Sequence, residues 1–75
     1  MNIVEYRING ENKFYDFSTI NQILKIDRSK LQRNLRRISG NDFIKYKNQY
    51  LYTENTLFKL MEEELIERLD KIETL

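Results

Sequence analysis

The chain has 75 residues, with 13 basic and 12 acidic side chains, no cysteine, no histidine and a formal net charge of +1. One domain of this size buries only about 60% of the surface its unfolded chain exposes, so the core must be small. Without cysteine or histidine there is no disulfide, no thiol chemistry, no usual zinc ligand and no imidazole base, which argues against an enzyme and against a bound metal or cofactor.

No apolar run approaches the roughly 20 residues of a membrane span, and no signal peptide opens the sequence. A cytoplasmic protein with no membrane partner is expected, and no Gly-rich loop points to a small-molecule ligand.

Residues 2–17, NIVEYRINGENKFYDF, alternate apolar and polar side chains around Asn9-Gly10, a strong hairpin signal. A loop from Asn9 to Asn12 would place Tyr15 and Phe17 on the face of Val4, Tyr6 and Ile8. A two-residue turn would put Glu11 and Lys13 there instead. Register decides which face is buried, and the longer loop keeps that face apolar. Ser18 is a suitable N-cap for a short helix with Ile20, Ile23 and Leu24 on one side, ending near Lys25. Asp27 then caps a second helix that turns Leu31, Leu35 and Ile38 inward and is broken at Gly40.

Residues 43–52, FIKYKNQYLY, read as two short strands around Lys47-Asn48, rich in the aromatics that favour sheets. Thr53 caps a last helix running toward the C-terminus. Leu57, Leu60 and Met61 would close the core, and its acidic residues would mostly face solvent. Phe58, Leu65, Leu69 and Ile72 approximate a heptad seam, with Glu62 in the skipped position. No other segment of so short a chain can cover Leu65, Leu69 and Ile72, which predicts a homodimer through this helix. A helix still patterned at its last residue is also what the N-terminal part of a longer protein would show.

Charge is segregated along this order. Residues 1–24 balance at −1, residues 25–50 at +6 and residues 51–75 at −4. The basic block holds Lys25, Arg28, Lys30, Arg33, Arg36, Arg37, Lys45 and Lys47 against Asp27 and Asp42. Such a block on a compact domain is an electrostatic footprint for a polyanion, although an ordinary solvated helix face has the same composition.

Two short helices joined by a tight turn and followed by a two-stranded ribbon describe a winged helix-turn-helix. FSTINQILKIDRSKLQRNL, residues 17–35, is similar to the helix-turn-helix of DNA-binding domains of the MerR and phage excisionase type. FIKYKNQYLYTENTLFKL, residues 43–60, resembles their wing and following helix. Ile20 and Leu24 would pack the first helix, Ile26 would plug the turn, and Leu31 would anchor the second helix against both. The sequence departs from the family pattern at Lys25, where glycine is usual, and at Asn21, where a small residue is usual. Asn34 replaces a common apolar position, with Leu35 serving instead.

The resemblance covers roughly residues 17–62, and together with the flanking elements the expected fold is α+β, a winged helix-turn-helix in one domain over residues 1–75. Its parts would be an N-terminal β-hairpin (1–17), the helix-turn-helix (18–38), a β-ribbon wing (43–52) and a long C-terminal helix (54–74). The resemblance also implies sequence-specific binding of double-stranded DNA, as a transcriptional regulator or an excisionase-like architectural protein. A DNA-binding module of a plasmid or phage replication or partition protein shares this physics. The rival of another class is a winged-helix protein–protein adaptor that works through the acidic helix.

With the second helix in a major groove, Ser29, Gln32 and Arg33 are placed to read bases. Glutamine suits adenine N6/N7, and arginine suits guanine O6/N7. Arg28, Lys30, Arg36 and Arg37 would hold phosphates, joined by Lys45 and Lys47 at the wing. Tyr46, Tyr50 and Tyr52 would pack the sheet onto the helices rather than stack bases of a single strand. Negative charge would line a helix pointing away from the DNA.

Overall fold

The computed structural model describes residues 5–8 and 12–73. In chain order its elements are β1 (Tyr6–Ile8), β2 (Asn12–Asp16), α1 (Phe17–Leu24), α2 (Arg28–Ser39), β3 (Phe43–Tyr46), β4 (Gln49–Thr53) and α3 (Glu54–Glu73). The fold is α+β, with three helices against an antiparallel sheet of four strands in the order β1-β2-β4-β3.

Both hairpins enter one sheet because β2 pairs with β4, placing Tyr15 opposite Tyr52 and Asp16 opposite Leu51. Within the first hairpin Tyr6 opposes Phe14 and Arg7 opposes Lys13. Opposed residues of an antiparallel pair share a face. Tyr6 therefore lies with Phe14 and Asp16, while Tyr15 lies on the other face, and the expected grouping of Tyr6 with Tyr15 and Phe17 is corrected. Phe17 is already helical. The alternation misled because β2 is buried on both faces: Phe14 is 8% exposed and Tyr15 5%. The Asn9-Gly10 turn and Val4 lie outside the described residues. On the Tyr6 face, the Tyr6 hydroxyl donates to Asp16 Oδ2 and accepts from Gln49 Nε2, each at 3.2 Å.

The strand β2 runs straight into α1, so its last residue is the cap. Asp16 Oδ1 accepts the Thr19 N–H at 2.8 Å. Asp16 thus replaces Ser18 as the expected N-cap, for want of any linker in which Ser18 could take that place. At the other end Lys25 adopts the left-handed conformation (φ 54, ψ 48) and its N–H donates to the Asn21 carbonyl at 2.8 Å. The Asn21 side chain donates in turn to the Ile26 carbonyl at 2.8 Å. Asn21 therefore braces the tight turn from both sides, which gives the polar residue at this crossing a structural role. Asp27 caps α2 by accepting the N–H groups of Ser29 and Lys30.

The core gathers Tyr15, Ile20, Leu24, Leu31, Leu35, Leu57 and Leu60, with Ile26, Ile38 and Tyr52 packed against it. Lys47 and Asn48 both have positive φ, the mark of a two-residue hairpin turn whose twist matches its strands. Thr53 caps α3 as expected, its hydroxyl accepting the Thr56 N–H at 3.3 Å. The hydroxyls of Thr53 and Thr56 donate to Asp42, which ties the loop after α2 to the positive end of the α3 dipole.

Met61 does not close the core; it is 42% exposed. The inward stripe of α3 runs instead from Leu57 and Leu60 to Glu63 and Glu64, because the surface it meets there is the charged flank of α2. Among the described residues no helix is long and apolar enough to cross a membrane.

Candidate functional site

With Leu31 and Leu35 fixed in the core, the 3.6-residue turn divides the rest of α2 into two flanks and an outer face. The flank carrying Lys30 and Arg37 meets α3. Lys30 Nζ pairs with Glu64 at 3.4 Å and with Glu67 at 2.5 Å, and Arg37 pairs with Glu63 at 2.6 Å. Arg37 also donates to Asn34 Oδ1 at 3.4 Å, so Asn34 works on the charged flank rather than in the core. Hydrogen bonding to Glu67 raises the Lys30 pKa, and the same bond lowers that of Glu67. The Glu63 hydrogen bond likewise raises Arg37.

These contacts correct the expectation that the acidic side chains of α3 point away from the basic surface. Three of them lie against it. Sequence reasoning missed this because the partners are 26 to 37 positions apart, and only the packing of α3 on α2 brings them together.

The outer face carries Ser29, Arg33 and Arg36, all exposed. On the second flank Arg28 and Gln32 join Arg36 along a groove of about 680 Å³ whose opposite wall is Phe43, Tyr50 and Tyr52 from the β3–β4 ribbon. The Arg28 guanidinium stacks over the Phe17 ring, 4.9 Å from its centroid, which holds it at the groove mouth. Phe43 and Tyr50 meet edge to face with centroids 5.3 Å apart. Lys45 and Lys47 are exposed on the same ribbon, Lys47 Nζ lying 5.3 Å from the Tyr46 ring centroid. Among the described residues no carboxylate forms an ion pair with Arg28, Arg33, Arg36, Lys45 or Lys47.

The nine expected polyanion contacts thus separate. Arg28, Ser29, Gln32, Arg33 and Arg36 form one continuous surface, with Lys45 and Lys47 on the neighbouring ribbon, while Lys30 and Arg37 are engaged by α3. Of the three tyrosines expected to pack the sheet, Tyr52 does so, whereas Tyr46 and Tyr50 are exposed. Tyr50 and Phe43 were not among the expected site residues. Their place opposite Lys45 and Tyr52 in the ribbon register could have flagged them as neighbours of α2.

No family model, no curated protein and no solved structure matches this chain. The geometry of the site stands by itself.

Its second feature is the far side of α3. Phe58, Met61, Leu65, Ile66, Leu69 and Ile72 are all exposed there. Leu65, Leu69 and Ile72 lie where the heptad reading put them, and Met61 and Ile66 widen the stripe. Met61 was expected in the core and Ile66 was overlooked, because each flanks the seam rather than lying on it.

Proposed function

We propose that this chain is a winged helix-turn-helix protein that binds double-stranded DNA, with α2 in the major groove and the β3–β4 hairpin as the wing. One observation carries this. When every ion pair is assigned, α2 still presents Arg28, Ser29, Gln32, Arg33 and Arg36 on one surface, with no carboxylate paired to any of these arginines among the described residues. Arg33 and Gln32 have the chemistry to read base edges. Arg28 and Arg36 line the groove between helix and ribbon, and their guanidinium groups are suited to hold phosphates along it. Lys45 and Lys47 extend the positive charge along the ribbon.

The exposed apolar stripe of α3 supports a second copy as the other partner, through Leu65, Leu69 and Ile72. Two copies would double the recognition helices and favour a two-fold symmetric site. The role is that of a transcriptional regulator or an architectural DNA-binding protein.

Titration of a labelled random-sequence duplex between 50 and 200 mM salt tests the proposal. Affinity should fall about tenfold or more across that range, since each phosphate contact contributes close to one unit of log–log slope. No binding at the lowest salt would refute it and leave α3 as the working surface. Selection of preferred sites from random duplexes should then return a palindrome.

A further inference from the structure

The distal half of α3 is attached to the rest of the molecule by charge rather than by apolar contact. Leu60 is its last buried apolar residue. Beyond it α3 meets α2 through Glu63, Glu64 and Glu67, and Arg68 donates to the Leu24 carbonyl at 3.3 Å and to Glu64 at 3.2 Å. The three carboxylates span little more than one helical turn and lie along the flank of α2. They present anionic oxygens to a lysine and an arginine that adjoin the outer face of that helix.

We propose that this acidic row is an intramolecular competitor for the polyanion that α2 binds, holding Lys30 and Arg37 back from phosphate. The competition presupposes the duplex-DNA function proposed above. Carboxylate and phosphate oxygens accept the same charge-assisted hydrogen bonds from arginine and lysine. Each cation can therefore serve α3 or DNA but not both fully. Exposed ion pairs are weak and screened by salt, so an arriving phosphate can displace them. The carboxylate set free takes up a counterion as the DNA releases one. The exchange should thus add little to the salt dependence, and the chain binds more weakly, with a shallower slope, than its basic content allows.

Three full-length proteins test this on one labelled random-sequence duplex between 50 and 200 mM KCl. They are the wild type, Glu63→Gln with Glu67→Gln, and Glu5→Gln with Asp70→Asn. The two variants change net charge equally, but Glu5 and Asp70 are exposed, lie off the apolar stripe of α3 and pair with no cation of α2. Expected is a several-fold tightening at 100 mM for the first variant, with a log–log slope steeper by about one to two. The second variant should keep the wild-type slope. Equal effects from both variants would reduce the carboxylates to their net charge and overturn the competition. Wild-type binding with an unchanged Glu63/Glu67 variant would do the same, while leaving the DNA function intact. Failure of all three proteins to bind would remove the DNA function and the competition with it.

Circular dichroism checks that α3 stays helical. Should the Gln variant unfold it, Lys30→Ala with Arg37→Ala gives an independent answer. Sequestered cations predict a log–log slope unchanged by that double substitution, whatever repulsion the bared carboxylates add to the affinity. A slope shallower by about two, as the loss of two phosphate contacts would give, overturns the proposal.

Discussion

The residues of α2 have separate duties that their common charge conceals. Arg33 points outward with no carboxylate partner among the described residues, whereas Lys30 sits between Glu64 and Glu67. Arg33→Ala should cost about 1–3 kcal/mol on a preferred duplex and flatten discrimination at one base pair. Arg36→Ala should weaken all duplexes alike and lower the salt slope by about one. Equal losses on preferred and random DNA for Arg33→Ala would make it another phosphate contact. A residue of a different kind is Lys25, held at positive φ where a side chain costs about 1 kcal/mol or more. Lys25→Gly relieves that strain but loosens the unfolded chain, so stability should rise by no more than about 1 kcal/mol. Lys25→Val puts a β-branched side chain in the same place and should lower stability by about 1–2 kcal/mol. Urea midpoints at unchanged m-value decide between them. A valine variant as stable as the wild type would show that the turn relaxes.

At the scale of elements, the β3–β4 ribbon packs against the core and, on the DNA-binding proposal, also serves as the wing. Tyr52 packs against the core, while Lys45 and Lys47 remain exposed near a turn fixed by two positive φ angles. Lys45→Ala with Lys47→Ala should therefore lower duplex affinity several-fold with no loss of folded signal. Binding and circular dichroism measured on one sample are sufficient, and unchanged affinity would leave the ribbon a cover for the core. The position of these elements was largely legible in the sequence. Asp27, Gly40, Lys47-Asn48 and Thr53 mark boundaries by local chemistry, namely caps, a left-handed residue and a tight turn. Where prediction failed, at Ser18 and in the first hairpin, the direct run of β2 into α1 and the pairing of β2 decided the outcome.

The whole molecule is elongated, 46 Å in its longest dimension, because α3 continues past the core. Leu65, Leu69 and Ile72 are 50 to 64% exposed on that extension. Burying such side chains fully is worth about 1.5–3 kcal/mol each, and a lone helical extension is otherwise marginal in water. A dimer with a dissociation constant on the order of micromolar is expected, weakened by Glu62 beside the seam and tightened when DNA holds both copies. Sedimentation should show dimer at high concentration, and Leu65→Glu with Leu69→Glu should give a folded monomer with weaker DNA binding. A wild-type chain monomeric at several hundred micromolar would assign the stripe to a different protein.

Local sequence settled the order of helices and strands, the inward positions Leu31, Leu35, Leu57 and Leu60, and the cluster of cations on α2. Each of these depends on spacing of a few residues, where helical and strand periodicity acts. Tertiary structure alone decided that β2 lies beside β4, so that two hairpins became one sheet and Phe14 was buried opposite Tyr15. It alone also turned the acidic side of α3 onto α2 and left the apolar side bare. Helical periodicity shows that a helix has two faces, one charged and one apolar. Only the contacts of the folded chain determine which face its neighbour takes.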